Sequence, residues 1–408
     1  MEKPPGYITK LRAKNFRSLA DVEISLEPLT IFVGLNASGK SNILDALRFL
    51  RDALTTTLQQ AVDSRGGINA LRRRSEGRPY DVSLEVHFQG PEWRAEYALT
   101  LGSKPGGAFR VKQERCDVHF RGEDVGFEIE RGKWVRRPDM PSPMFEMLKE
   151  YDASAPEALQ EVVEQVPEHE LFLPRAALLL GIPAYTEAWN VLRAMSFYAL
   201  YPSAFREPAK PAMPYPLQDD GHNLASTLRS LRREERKSYE RIVEFLGAAV
   251  PGVEGVTVKQ VGGYLVVEVL HAMPSENAKG KRRAAFDLTQ ESDGTLRLLA
   301  LFTALFQKPR RYVIGIEEPE LNVHPGALPV LRDAVELASR ESQILITTHS
   351  PELLSEFPPE VFRVVDLVDG VTHVGPMAEY QLEAVREHLF TAGELFVREG
   401  LRREGGYA

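Results

Sequence analysis

Eight consecutive residues, Gly34-Leu35-Asn36-Ala37-Ser38-Gly39-Lys40-Ser41, constrain this chain more than any other segment. They spell G-x-x-x-x-G-K-S between an apolar run, Leu29–Val33, and a helix-like stretch from Lys40 to about Ala61. Glycines let the backbone curl so that the N–H groups of Asn36, Ala37, Ser38 and Gly39 face one point, and the helix start adds the positive end of its dipole. Such a loop cradles a phosphate chain. Lys40 then reaches the β- and γ-phosphates, and the Ser41 hydroxyl holds Mg²⁺. The bland alternative is an ordinary glycine-rich turn, and the strand and helix on either side speak against it.

Two further strand ends agree. The apolar run Tyr312–Ile316 delivers Glu317-Glu318-Pro319-Glu320. In a phosphate-cleaving site one such carboxylate orients the metal and the next polarises the attacking water, so Glu317 is assigned to the metal and Glu318 to the water. Alone, an acidic strand end reads as a solvated turn. The run Ile344–Ile346 ends in Thr347-Thr348-His349-Ser350, and His349 there is placed to hydrogen-bond a γ-phosphate and sense its loss. Alone, it reads as a capping or core histidine. Three strand ends in this order are more specific than any one of them.

The remaining sequence bounds the architecture. At 408 residues, 43% hydrophobic and 26% charged, the chain can bury a sizeable core as two or three domains or one large α/β domain with insertions. Lys+Arg 50 against Asp+Glu 58, a net charge of -8, excludes a uniformly basic nucleic-acid coat but leaves room for a local basic groove. A single cysteine, Cys116, excludes a disulfide framework and a cysteine-built zinc cluster. No apolar run approaches the roughly 18–20 residues of a membrane span, and residues 1–14 lack the apolar segment of a signal peptide, so a cytoplasmic protein without a membrane partner is expected. Alternating apolar residues over Ile8–Phe16, Val22–Leu26 and Tyr80–Val135 predict strands, the last as antiparallel meanders. Ser142–Tyr201 reads as helical segments, Pro202–Pro216 as a linker or ordered loop, His222–Leu246 as one charged helix, and Val256–Leu270 as a hairpin. From Phe286 strands and helices alternate, which suits a parallel sheet. The expected units are a nucleotide-binding lobe from residues 1–136 and 248–375, a helical insert over 137–247, and a helical tail over 376–408.

With these motifs in this order, the chain resembles the ABC-type ATPases of the RecF/SMC/OLD group, over Ile8–Ala61 and Phe286–Val368. The segment Leu11–Ser18 looks like the group's opening strand, which implies that Arg17 and Ser18 approach nucleotide phosphates; Asn36, Ser38 and Asn42 fit its loop variant. Glu318–Pro325 is similar to its Walker B and D-loop segment, with Glu317 departing from the commoner Asp. Glu291-Ser292-Asp293-Gly294-Thr295 looks like a degenerate signature loop, which implies that Ser292 and Gly294 cap ATP held by an opposite subunit. A simple helix N-cap is the bland reading of the same residues.

The resemblance implies a P-loop NTPase fold, α/β, with mixed parallel and antiparallel sheets and an inserted helical lobe. It also implies ATP and Mg²⁺ as cofactors, and a homodimer sandwiching ATP. The expected function is an ATP-hydrolysing switch in DNA maintenance or anti-phage defence, with a separately encoded effector. Too few residues separate Lys40 from Glu317 for a long SMC coiled coil, and too few follow His349 for the Toprim nuclease domain of OLD enzymes. A transporter's ATP-binding subunit and a non-hydrolytic ATP-bound scaffold are the alternatives. For DNA, Arg229, Arg232, Arg233 and Arg236 recur at helical spacing as one ridge, with further basic clusters at Arg72–Arg74 and Lys279–Arg283; solvated faces are the bland reading.

Overall fold

The computed structural model describes residue 4 and residues 6–74, 80–138, 169–180, 182–273 and 282–406. Strands β1 (Tyr7–Phe16) and β2 (Leu19–Ser25) are followed by β3 (Leu29–Val33), whose five residues are all buried. Helices α1 (Lys40–Thr55), α2 (Leu58–Asp63) and α3 (Ile68–Leu71) come next. The meander expected over residues 80–135 is β4 (Val82–Gly90), β5 (Trp93–Ser103), β6 (Phe109–Phe120), β7 (Glu123–Glu130) and β8 (Lys133–Arg136). With β1 and β2 it forms a seven-stranded antiparallel sheet in the order β2-β1-β4-β5-β6-β7-β8.

The second half supplies α4 (Leu173–Leu179), α5 (Pro183–Arg193), β9 (Met195–Tyr198), α6 (Leu224–Glu234), α7 (Arg236–Ala249), β10 (Val253–Val261), β11 (Tyr264–Met273) and β12 (Arg282–Asp287). Then follow α8 (Asp293–Phe306), β13 (Val313–Glu317), α9 (Leu328–Ser339), β14 (Gln343–Thr348), α10 (Pro351–Leu354), β15 (Phe362–Val368), β16 (Val371–Gly375), α11 (Glu379–Arg386) and α12 (Ala392–Glu399). The central sheet has six strands in the order β16-β15-β3-β14-β13-β9, parallel except for β16. Parallel strands are buried on both faces, and here the two faces serve different cores. Phe32, Leu345, Val313 and Phe197 pack with α1 and the antiparallel sheet, while Ile31, Ile346, Ile316 and Tyr198 pack with α6 to α9. Gln343 ties the two sheets: its amide accepts from Ile8 N at 2.9 Å and donates to Ile8 O at 2.7 Å and Glu27 O at 3.0 Å.

Three expectations are corrected. The span 137–247 is not helical throughout its described part, because β9 lies inside it and pairs with β13 as the edge of the central sheet. The strand entering at Phe286 is β12, which joins β10 and β11 in a three-stranded antiparallel sheet and not the parallel one. The charged helix breaks at Glu235, whose φ of -131° and ψ of 58° leave the helical region and divide α6 from α7. That break takes Arg236 off the arginine ridge, where it pairs with Glu240 at 2.7 Å. Arg232 donates to Thr257 Oγ1 at 2.8 Å and Arg229 to Gln260 at 3.4 Å, so both lie against β10. Residues 279–281 and the segment 142–168 lie outside the described residues.

Candidate nucleotide site

Strands β3, β14 and β13 are parallel neighbours, so their C-terminal ends open at one edge of the sheet. That edge is where open α/β sheets bind ligands. At the end of β3 the chain can turn only because two glycines stand where a side chain has no room. A Cβ on Gly34 would lie 2.1 Å from Val365 O; Gly39, at φ 104°, would put one 2.0 Å from Thr372 Oγ1. Ala37 also adopts a left-handed φ of 63°. The Lys40 ammonium folds back on the loop, donating to Gly34 O at 2.7 Å and Leu35 O at 3.0 Å. Burial lowers its pKa from the ordinary lysine value, opposed by Glu318 and Glu320.

Arg17, Ser18, Ser38 and Asn42 belong to one hydrogen-bonded chain. Arg17 Nη1 donates to Asn42 Oδ1 at 3.5 Å, Asn42 Nδ2 to Ser18 Oγ at 2.7 Å, and Ser18 Oγ lies 2.7 Å from Thr372 Oγ1. Thr372 Oγ1 in turn donates to Ser38 O at 2.9 Å. Thr372, on β16, is a site residue that sequence reasoning missed. Arg17 also pairs with Asp45 at 3.0 Å, so its charge is already partnered.

Ser41, in the first turn of α1, meets Glu317 at the end of β13. Ser41 Oγ donates to Glu317 Oε2 at 2.9 Å, and Arg48 Nη2 holds Glu317 Oε1 at 3.2 Å. Glu318 turns the other way at a left-handed φ of 47°, and its Oε2 lies 2.7 Å from His349 Nδ1. Glu320, to which no role was assigned from sequence, accepts from Thr348 Oγ1, and burial pushes its pKa up to about 7. One ligand atom each from Glu318, Glu320 and His349 lies within 4.8 Å of the others, a second grouping able to hold a cation.

Ser292 caps α8, its Oγ accepting from Thr295 N at 3.2 Å. Gly294 packs against its own chain: a Cβ there would stand 2.5 Å from Asn322 O. Among the described residues neither has a hydrogen bond to the P-loop. One turn on, Arg297 is only 2% exposed inside a mostly apolar helix. Its guanidinium donates to Leu200 O, to Glu317 O at 3.2 Å and to Glu318 O at 2.6 Å. This side chain therefore fixes the carboxylate turn to the helix that Ser292 starts. Replacing Arg297 by Met keeps the bulk and leaves those carbonyls without a donor. Turnover should fall by at least about tenfold, while ATP affinity changes less than turnover, read as a kcat against KM split.

Comparisons with known proteins bear on this geometry. The family described as "AAA ATPase domain" matches residues 7–92, and that described as "AAA domain, putative AbiEii toxin, Type IV TA system" matches residues 181–355. The OLD nuclease of Thermus scotoductus is 25% identical over 382 residues, covering 88% of this chain and 62% of that protein. The DNA replication and repair protein RecF of Cytophaga hutchinsonii is 28% identical over 103 residues, 24% of this chain and 26% of that one. In these matches the chain is similar to the ABC-type P-loop ATPases of the RecF/SMC/OLD group. It spans less than two thirds of the OLD nuclease's length. The Smc head domain of Pyrococcus furiosus gives a TM-score of 0.46 at 16% identity, over 94% of this chain and 99% of that one. No helix among the described residues is long and apolar enough to cross a membrane.

Proposed function

We propose that the chain binds ATP with Mg²⁺, hydrolyses it, and dimerises around it, each site being closed by Ser292 and Gly294 of the other copy. The observation that carries this reading is the meeting of Lys40, Ser41, Glu317, Glu318 and His349 at adjoining parallel strand ends, with Ser41 2.9 Å from Glu317 and Glu318 2.7 Å from His349. The residues fit the cofactors. Ser38 Oγ is buried without a hydrogen-bond partner beside the glycine cradle, and the Lys40 ammonium is held by the loop's own carbonyls. Ser41 and Glu317 would hold Mg²⁺, which supplies charge neutralisation between the phosphates. Lys40 and the backbone from Asn36 to Gly39 would bind the phosphates, while Glu318 takes the proton of the attacking water and His349 orients that carboxylate. The role in DNA maintenance or anti-phage defence, alongside an effector encoded elsewhere, rests on relatives named OLD nuclease and DNA replication and repair protein. DNA itself stays a candidate partner, and Arg232, Arg233 and Arg236 are exposed.

The composite site is tested by mixing two inactive variants. A Ser292→Arg chain keeps its own P-loop and loses its cap; a Lys40→Ala chain keeps its cap and loses its P-loop. In their heterodimer both defects fall at one site and the other site is intact. Hydrolysis should reappear on mixing, with the Lys40→Ala/Ser292→Arg double variant as blank. No recovery in verified heterodimers contradicts closure in trans.

A further inference from the structure

Away from the P-loop, a cavity of about 750 Å³ opens where α1, α5, β9 and the loop before α6 meet. Arg51, Trp189, Arg193, Ser196, Gln218 and Arg311 line it, together with carboxylates of Asp52, Asp219 and Asp220. The carboxylates are already committed. Asp52 pairs with Arg51 at 2.7 Å and Arg65 at 2.8 Å, Asp219 with Arg51 at 2.9 Å, and Asp220 with His222 at 2.7 Å. Asp219 also faces Arg48 at 3.7 Å. Two guanidinium groups are left over. Arg311 is held by Ser196 Oγ at 2.8 Å, Met195 O at 3.1 Å and Arg193 O at 3.2 Å, and it has no carboxylate partner among the described residues. Arg193 lies 4.7 Å from the Trp189 ring centre and, among the described residues, its guanidinium bonds only the neutral Asn190 side chain.

A partly buried guanidinium in a cavity, with no carboxylate paired to it among the described residues, invites an anion. Burial and the facing charges of Arg51 and Arg193 lower the Arg311 pKa, against the attraction of Tyr198 and Asp219, so an anion would relieve a standing repulsion. The exposed Arg193, layered on Trp189, offers a flat guanidinium on which a base can stack. The volume lies within the range that encloses a nucleotide-sized ligand, roughly 300–1,000 Å³. We infer that this cavity is a second site, distinct from the P-loop, for a nucleoside phosphate: phosphate on Arg311, base over Arg193. The same chemistry comes from a free nucleotide or from the phosphorylated end of a nucleic-acid strand.

The test uses the full chain carrying Lys40→Ala, so that P-loop binding does not contribute. Its failure leaves the proposed ATPase untouched. Three fluorescent probes are titrated at low salt: labelled AMP, a 5′-phosphorylated hexathymidylate, and the same strand without the phosphate. Binding of AMP assigns the site to free nucleotides; binding of the phosphorylated strand alone assigns it to strand ends. In either case Arg311→Gln should weaken binding by at least about tenfold. Arg311 braces β9, so Arg193→Glu, at an exposed position where the melting temperature should stay unchanged, is the second variant and should weaken binding as much. Absence of binding by both phosphorylated probes, equal binding of the strand without its phosphate, or binding that survives Arg193→Glu overturns the inference.

Discussion

Glu318→Gln is expected to leave ATP bound and to slow its hydrolysis by about 10²–10⁴-fold, the range a positioned general base contributes. The substitution keeps the shape of the side chain and its hydrogen bond to His349, which lies 2.7 Å away. What it removes is the capacity to accept a proton. Glu317 has both carboxylate oxygens engaged by Ser41 and Arg48 and is poorly placed to substitute. Glu320 is the nearest alternative: Thr348 takes one of its carboxylate oxygens, the other is buried without a hydrogen-bond partner, and burial raises its pKa to about 7. Wild-type turnover in Glu318→Gln would therefore move the base to Glu320, checked by phosphate release from Glu320→Gln.

Lys40→Ala should abolish measurable ATP binding without unfolding the chain. Lys40 is 6% exposed, and its ammonium is the cation that the P-loop carbonyls of Gly34 and Leu35 hold in place. With alanine, two carbonyl oxygens face the incoming phosphates and no positive charge offsets them. Removing one member of a buried charge pair costs about 3–5 kcal/mol. An affinity loss of at least about two orders of magnitude follows. Equilibrium titration with a fluorescent ATP analogue measures it, and an unchanged thermal melt separates lost binding from lost fold. Affinity within a few-fold of wild type would contradict the assignment of the loop.

The legible parts of this chain were those whose chemistry is local in sequence. The turn from β3 into α1 needs glycine at 34 and 39 and cation and hydroxyl at 40 and 41, and all lie within eight residues. The ends of β13 and β14 carry their carboxylates and histidine in the same way. What sequence concealed depends on contacts between distant segments. Thr372 reaches Ser38 across 334 positions, and nothing in the segment Val371–Gly375 marks it as more than a strand. β9 has four residues, too short a run for its period to separate it from the helix before it. Glu235 breaks the charged helix although its side chain favours helices, and no glycine or proline near it marks the place in the sequence. Arg297 did carry a signal: one charged residue in the apolar stretch Leu296–Phe306 asks what it pairs with, and the answer is the carbonyls behind Glu317 and Glu318.

The central claim, a P-loop site that binds ATP with Mg²⁺ and cleaves it using Glu318, is tested most directly by following bound nucleotide and released phosphate in the same sample. Purified wild-type chain, given ATP and Mg²⁺, should release phosphate steadily and retain mainly ADP. Glu318→Gln should retain intact ATP with little phosphate, and Lys40→Ala should show neither. Phosphate release at equal rates from all three proteins, or stable ATP on the wild-type chain without any release, would contradict the account.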